Sequence, residues 1–407
     1  MGSARAPIIA HVDMDAFYVE AELLDKPQLR GRKIIVAAEG GRSVVLSASY
    51  EARADGVRSA IPLSRAQQMS PEAVVLPPQM SRYRELSAAI MSYFDTLTAV
   101  KEQLSVDEAF LDLTGAVRRL GPPQQMARRI RAEIRERFGL PASVGIADRK
   151  FIAKIASTQA KPDGLLIVPP AQRLEFLHRL EVSALWGVGP KTAETLHQMG
   201  LRTVEQLAHT PRQTLIRRLG ATGEHLHQLA WGHDPRAVTP VREEKSIGAE
   251  ETFAEDLTED DDLSAELLHL AHRVAARLRA AGLTAEAVSL KLRWRDFSTV
   301  TRTSTLRHPT QSAPVLHHAV MGLLTSLGQR PQPVRLLGLR AERLHGADGT
   351  VQLSIDAHED SWADAERALD AVSQRFPHAA LAPASVLRRR HGPRTEDTDS
   401  PTGEAGH

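Results

Sequence analysis

The chain has 407 residues, 42% of them hydrophobic and 25% charged, with 26 Gly and 24 Pro; this is the composition of a globular protein long enough for two to four domains. It has no cysteine, which excludes disulfides, thiolate zinc sites, iron–sulfur clusters and a cysteine nucleophile, and no apolar run reaches the ~18 residues of a membrane-spanning helix. The net charge of +1 hides a pattern: residues 118–242 carry +10 and 271–358 carry +7, residues 243–270 between them carry −10, and 1–117 and 359–407 carry −3 each. Two basic blocks around an acidic strip suit a polyanion partner, although solvated helix faces would produce either block alone. The apolar stretch of the N-terminus (MGSARAPIIAHVDMD) is too short for a signal peptide and is broken at once by acids, so a cytoplasmic location is expected.

In chain order, residues 8–14 (IIAHVDM) read as a buried strand. A small compact stretch follows, with strands at 33–38 and 43–48 and short helices around 51–55 and 63–69, and then a helix at 80–97. Residues 98–113 read as a hairpin ending in the alternating VDEAFLDL. A helix spans 122–138, with apolar spacing at Met126, Ile130 and Ile134; a strand at 142–147 and a helix at 149–160 complete an α/β layer. Residues 166–235 are short helices broken by Gly, and 236–246 read as an extended tether. Strand 245–254, helix 259–282, strands 287–295 and 298–306, helix 311–328 and strand 334–342 follow in βαββαβ order, the split-βαβ, ferredoxin-like arrangement. The spacing Trp362, Ala365, Leu369, Val372, Phe376 predicts one amphipathic helix, and the segment from His391 has no apolar pattern and reads as disordered.

Four constellations could carry chemistry. Carboxylates at Asp13, Asp107 and Glu108, with Asp15 and Asp112 nearby, sit at the ends of predicted buried strands. Burying them there is costly unless they meet a cation or a hydrogen-bond network. Hard oxygen ligands suit Mg²⁺ or Mn²⁺ rather than zinc, while acids at strand ends also serve as plain turn residues. Neighbours on a regular strand face opposite ways, so Asp107 and Glu108 can share a metal only at a distorted strand start or a hairpin turn. In SYEAR at 49–53, with Arg58 nearby, a Tyr hydroxyl and an Arg guanidinium can converge on a phosphate chain, or simply start a surface helix. In FIAKIASTQAKPDG at 151–164, a Lys before Pro-Asp-Gly presents a fixed ammonium, for phosphate or only for the helix end. In LWGVGPKTAETL at 185–196, Gly187 and Gly189 before Pro190 make a tight turn with outward amides that suits a DNA phosphate, and the segment resembles a helix-hairpin-helix.

The ordered strings HVDMDAFYVEAE, SASYEARADGVRSAIP, LSVDEAFLDL, SVGIADRKFIAKIAS, AKPDG, LWGVGPKTAETL, EEKSIGAEETFAED and VRLLGLRAERL span about 8–342. Together they resemble the Y-family translesion DNA polymerases, in the DinB or DNA polymerase IV branch. The resemblance implies an α+β, multidomain right hand: a ferredoxin-like palm (1–24 and 80–165), small fingers (25–79), a helical helix-hairpin-helix thumb (166–235), a linker (236–242), a βαββαβ little finger (243–358) and a tail (359–407). It implies an error-prone, template-directed polymerase that adds deoxynucleoside triphosphates to a primer–template DNA by two-metal nucleotidyl transfer, with Mg²⁺ or alternatively Mn²⁺, acting as a monomer.

Carried over by position, Asp13, Asp107 and Glu108 match the family's metal-binding carboxylates, and Met14 would add its backbone carbonyl. Tyr50, Arg53 and Lys161 match triphosphate contacts, Phe17 joins them among the nucleotide-binding residues and packs beside Tyr18 at the steric gate, and Gly187, Gly189 and Lys191 fall on the DNA-backbone hairpin. Asp15 and Asp112 read as structural. No side chain stands out as general base, leaving water or Glu108 to take the proton. Small residues at Ala16, Ser47 and Ala48 imply a roomy pocket over the templating base. Gln352–Asp356 (QLSID) resembles a sliding-clamp-binding peptide, with Asp356 where an aromatic anchor is usual. Two rivals are an inactive scaffold, which would lose the carboxylates, and another two-metal palm enzyme such as a nucleotide cyclase, which has no use for DNA-gripping domains.

Overall fold

A computed structural model describes residues 6–240, 244–328, 332–347, 365–372 and 375. The chain divides into two compact units, residues 1–242 and 243–407.

The first unit is built on a five-stranded sheet in the order β5-β6-β1-β7-β8. Its strands are β1 (Ile9–Met14), β5 (Lys101–Gln103), β6 (Glu108–Asp112), β7 (Ala142–Ala147) and β8 (Leu165–Ile167). The side-chain alternation of β1 sorts the layer into two faces. Ala10, Val12 and Met14 join Ile90 and Phe94 of α4 (Met80–Leu97) and Met126, Ile130 and Ile134 of α6 (Pro123–Phe138) in one core. Ile9 and Phe110 face the other way, into a core shared with Phe151, Ile152 and Ile155 of α7 (Lys150–Gln159). By the same alternation, this second face of β1 and β6 carries His11, Asp13 and Glu108. Helix α7 lies close on β7 because Gly145 has no side chain: a Cβ there would stand 2.0 Å from the Ala153 carbonyl and 2.3 Å from the Ser157 amide.

Between β1 and α4, helix α1 (Phe17–Leu23) leads to a three-stranded sheet, β3-β2-β4, of β2 (Ile34–Ala37), β3 (Val45–Ala48) and β4 (Val74–Leu76). It carries α2 (Tyr50–Ala54) and α3 (Leu63–Met69). Strands β4 and β8 are additions to the elements expected from sequence; β8 pairs parallel with β7, so the sheet runs past residue 165. After the short α5 (Val117–Leu120), α6, β7, α7 and β8 come five helices: α8 (Arg173–His178), α9 (Pro190–Gln198), α10 (Val204–His209), α11 (Arg212–Leu219) and α12 (Ala221–Ala230). Their Leu177, Leu196, Leu207, Leu215 and Leu226 pack in the same core as α7. The extended stretch after α12 is fastened rather than free: Val238 is buried, the Lys150 ammonium donates to the Ala237 carbonyl (3.2 Å), and Glu102 accepts from the Thr239 amide (2.8 Å).

The second unit runs β9 (Ser246–Leu257), α13 (Asp260–Ala281), β10 (Leu283–Trp294), β11 (Thr299–Thr310), α14 (Ala313–Ser326) and β12 (Val334–Gly346), the βαββαβ order expected. The sheet order β11-β10-β12-β9 splits both βαβ units, since β12 lies between β9 and β10 while β10 lies between β11 and β12. Leu263, Leu267, Leu270, Val274 and Leu278 of α13 and Leu316, Val320 and Leu324 of α14 cover one face. The acidic strip has a structural account. Asp260, Asp261 and Asp262 occupy the first turn of α13, where negative charge favours the helix dipole, and Glu250, Glu251 and Asp256 pair with Lys291, Arg273 and Arg295.

Residues 365–372 of the expected tail helix are helical, but the buried side chain there is a carboxylate: Glu366 is 2% exposed, whereas Ala365 and Val372 are exposed. Glu366 accepts from the Ala313 amide (2.8 Å), satisfying one of the free donors at the start of α14, and the Arg279 guanidinium reaches both Glu366 (3.3 Å) and Asp370, the latter through two bonds (2.5 and 2.9 Å). Of the apolar spacing, Leu369 is half-buried on the side of Glu366 and Asp370, so the described part of the helix docks through these two acids together with Leu369. Trp362, Phe376, Gln352–Asp356 and the segment from His391 lie outside the described residues. Removing the cation should therefore free this helix, because two carboxylates, one fully buried, would lose their partner at a cost of about 3–5 kcal/mol. Arg279→Met is expected to abolish hydrogen-exchange protection of amides 366–372 while β10 and β12 stay protected. Unchanged protection of the helix would show that Arg279 does not hold it.

Candidate active site

Strand register assembles the site. β1 pairs antiparallel with β6 so that Asp13 stands directly opposite Glu108, and parity turns both toward α7, with His11 and Phe110 on the same face. Ligand atoms of His11, Asp13 and Glu108 lie within 4.8 Å of one another. Asp107 precedes the first residue of β6, in the bend between β5 and β6, where its carboxylate accepts from the Ser105 hydroxyl and its backbone carbonyl accepts from the Met14 amide (3.0 Å). Its oxygens are outside the converging set; burial raises the pKa of Asp13 and Tyr18, and the Asp107 charge adds to that rise in both.

Cations from the α7 side compensate the acids. Lys161 donates to Asp13 (2.6 Å) and Lys154 of α7 donates to Glu108. Burial pushes the Asp13 carboxyl up to about 6 against the opposing pull of Lys161. Burial acts in the same direction on Glu108, but hydrogen bonds from His11 and Lys154, with the Lys154 charge, outweigh it and hold the group at about 2. His11 is fully buried, which lowers it to about 4 and keeps the ring neutral. Its Nδ1 lies 2.7 Å from the Ser157 hydroxyl and its Nε2 lies 3.2 Å from Glu108. Both ring nitrogens are engaged with neighbours, which suits His11 to holding the Glu108 carboxylate rather than to ligating an ion. The remaining donors are carboxylate oxygens, with no thiolate in the chain, and they already attract two ammonium groups; this donor set fits a hard divalent cation. The sequence reading did not single out His11 or Lys154. The two-residue spacing of His11 and Asp13 puts them on one strand face, but what they meet there, and the role of Lys154, follow only once β6 and α7 are placed.

Beyond β1, Ala16 adopts a left-handed conformation (φ 44°) that turns the chain into α1. Phe17 is buried and Tyr18 is half-buried; their rings lie 5.5 Å apart. Tyr18 also packs on Tyr83 at 4.8 Å, whose hydroxyl donates to the buried Glu22 (2.7 Å). Tyr18 is thus backed by fixed rings. Tyr50, at the first position of α2, donates through its hydroxyl to Asp15 (3.1 Å), and Arg53 lays its guanidinium 4.9 Å from the Tyr50 ring while Nε donates to the Ala48 carbonyl (2.9 Å). Asp112, at the end of β6, accepts from the Thr114 amide (2.9 Å), a bond within its own turn.

In the helical region, Gly187 (φ +98°) makes the turn that ends at Pro190, the first residue of α9. Gly187, Gly189 and Lys191 are exposed, and a Cβ on either glycine would meet nothing within 4 Å, so the hairpin presents bare backbone to its surroundings. No helix among the described residues is long and apolar enough to cross a membrane.

Residues 12–158 match the impB/mucB/samB family, residues 244–355 match the C-terminal domain of that family, and residues 183–234 match the DNA polymerase-iota thumb domain. The chain is similar to the DNA polymerase IV of Desulfatibacillum aliphaticivorans, 39% identical over 93% of this chain and 97% of that protein. It is 43% identical to the DNA polymerase IV of Alkalilimnicola ehrlichii over 83% of this chain and 95% of that protein. Among solved structures, a Y-family DNA polymerase chimera of Dbh and Dpo4 superposes with a TM-score of 0.75 at 25% identity, covering 83% of this chain and 99% of that one. An insertion ternary complex of Dbh DNA polymerase superposes with a TM-score of 0.61 at 25% identity, covering 82% and 98%. With the motifs in order along the sheet, the helical region and the βαββαβ unit, the chain belongs to the Y-family DNA polymerases, in the DNA polymerase IV branch, and is a translesion DNA polymerase.

Proposed function

We propose that nucleotidyl transfer occurs at the end of β1, with Asp13, Asp107 and Glu108, and the Met14 carbonyl, holding divalent cations. The observation that carries this reading is the direct opposition of Asp13 and Glu108 across β1 and β6, with oxygens converging beside two lysines. Bound Mg²⁺, or Mn²⁺ in its place, supplies activation of the primer 3′-hydroxyl and charge neutralisation on the leaving pyrophosphate. Tyr50, Arg53 and Lys161 bind and orient the triphosphate; Lys161 and Arg53 neutralise it, and Tyr50, held in place by Asp15, adds a hydrogen bond by turning its one hydroxyl proton from Asp15 to a phosphate oxygen. His11 fixes the orientation of Glu108 from behind. The palm comprises 1–24 and 80–165 and continues through β8, the fingers 25–79, the thumb the helices up to 235, the linker 236–242 and the little finger 243–358. Gly187, Gly189 and Lys191 contact the DNA backbone through outward amides and one ammonium, a grip indifferent to base sequence. The protein acts as a monomer in the cytoplasm on primer–template DNA.

Each of Asp13→Ala, Asp107→Ala and Glu108→Ala is expected to lower primer extension about a thousandfold, the rate equivalent of several kcal/mol, while duplex binding persists. Near-normal extension by the Glu108 variant would overturn the site.

Sugar selection rests on Tyr18. A ring held by Phe17 and Tyr83 cannot yield to a 2′-hydroxyl without disturbing a packed layer. Tyr18→Ala is expected to raise ribonucleotide incorporation at least tenfold, an overlap cost of ~1.4 kcal/mol or more, with a much smaller change for deoxynucleotides. If single-nucleotide incorporation shows the parent's selectivity in the variant, the gate lies elsewhere.

For the sliding clamp, Gln352–Asp356 is the proposed contact. Deleting these residues should reduce clamp-stimulated synthesis, and Asp356→Phe should increase it by restoring an apolar anchor. Clamp stimulation insensitive to both changes would remove this peptide from consideration.

A further inference from the structure

We propose that Asp15 is a positioning residue for the triphosphate: it aims Tyr50 and the loop that carries Lys161 from one buried carboxylate. The proposal rests on the reading of Tyr50 and Lys161 as triphosphate contacts. Asp15 is 1% exposed and accepts from three donors. The Tyr50 hydroxyl donates to Oδ1 (3.1 Å), the Ser143 hydroxyl lies 3.1 and 3.0 Å from the two oxygens, and the Asp163 amide donates to Oδ2 (2.7 Å). A buried carboxylate with fewer donors would be costly, so these bonds constrain their owners as firmly as they satisfy the acid.

The owners are what make Asp15 more than a structural acid. Tyr50 opens α2 on the three-stranded sheet, a separate layer from the strand that leads to Asp15. Asp163 follows Lys161 by two residues and adopts a left-handed conformation (φ 49°), uncommon for a non-glycine residue though more open to Asp than to most, and its neighbours constrain it there. That constraint is visible: its amide is on Asp15, its carboxylate pairs with Arg131 (2.9 Å) and Arg135, and the next amide, of Gly164, donates to Ser143 (3.3 Å). Ser143 in turn donates to Asp15. Tyr50 and the Lys161 loop therefore share one anchor, although they come from distant parts of the chain, and a displacement of that anchor moves both.

Asparagine tests the anchor because it keeps the shape of Asp15 but accepts on only one oxygen, so either Tyr50 or Asp163 loses its acceptor. In steady-state primer extension with the full chain, Asp15→Asn is expected to raise KM for the incoming deoxynucleoside triphosphate about tenfold, with a smaller fall in kcat and an unchanged primer–template Kd. In the double variant with Tyr50→Phe, the KM increase should be well below the product of the two single effects, since loss of the hydroxyl leaves no group at that position for the acid to aim. An unchanged KM would overturn the proposal, and fully multiplicative effects would overturn the claim that Asp15 aims Tyr50. Should Asp15→Asn fail to fold, Ser143→Ala removes one donor without stranding a charge. It should raise the same KM a few-fold, and an unchanged KM would overturn the proposal equally. Tyr50→Phe and Lys161→Ala serve as references. If neither alters KM, the triphosphate reading itself fails; if both raise it and Asp15→Asn does not, only the role of Asp15 falls.

Discussion

The antiparallel pairing of β1 with β6, in the register that sets Asp13 against Glu108, is the constraint on which the rest of the site depends. A slip of one residue would turn Asp13 and His11 into the helix-covered apolar core and expose Ala10 and Val12 to the cations of α7. The register is fixed from both sides. Ala10, Val12 and Met14 are buried under α4 and α6, and β7 pairs along the other edge of β1 from Ile9 to Met14. Apolar burial on one face thus determines where the carboxylates stand on the other.

Polar economy explains why the acids do not destabilise that arrangement. Asp13 and Glu108 each have an ammonium, Glu108 has an imidazole as well, and Asp15 has three hydrogen-bond donors. The lysines come from α7 and the loop after it, so the helix that seals the second core also delivers the compensating charge. Gly145 is the sequence condition for this delivery, because any side chain there would lift α7 away from β7 and carry Lys154 and Ser157 with it.

Most of the fold was legible because its strands and helices are long or strictly patterned. The six elements of the second unit, β1, α4, α6, β7 and α7 all follow from periodicity. Strands β4 and β8 did not, being three residues each and largely half-buried, too short for alternation to register. At the site, the carboxylates and Lys161 stand in ordered motifs of the sequence, and Asp107 lies in the irregular bend before β6 with its oxygens outside the set in which those of Asp13 and Glu108 converge. His11 was not legible, since one histidine inside an apolar strand reads as core until its strand partner is known. The tail helix was legible as a helix but not in its orientation. Apolar spacing marks the helix, but not the pairing of Glu366 with Arg279 and the start of α14, since no one-dimensional pattern records a partner so distant along the chain.

The contrast between two parts of the proposed nucleotide pocket carries the functional argument furthest. On the sugar side, Tyr18 is backed by Phe17 and Tyr83, and Tyr83 is tied through its hydroxyl to Glu22, which also accepts from Gln79 (2.9 Å) and Lys26 (2.5 Å). The rings of that layer are packed and its buried acid is satisfied, so a steric demand there meets a stiff wall. On the base side the proposal places Ala16 and Ser47, both small; Ala48, the strand neighbour of Ser47, faces the other way into the core of the three-stranded sheet and drops out of that set. Rejection by overlap needs atoms that cannot move, and acceptance of altered bases needs atoms that are absent. In the proposed pocket, strictness about the sugar and permissiveness about the base are compatible, because the two would reside in different residues and draw on different physics.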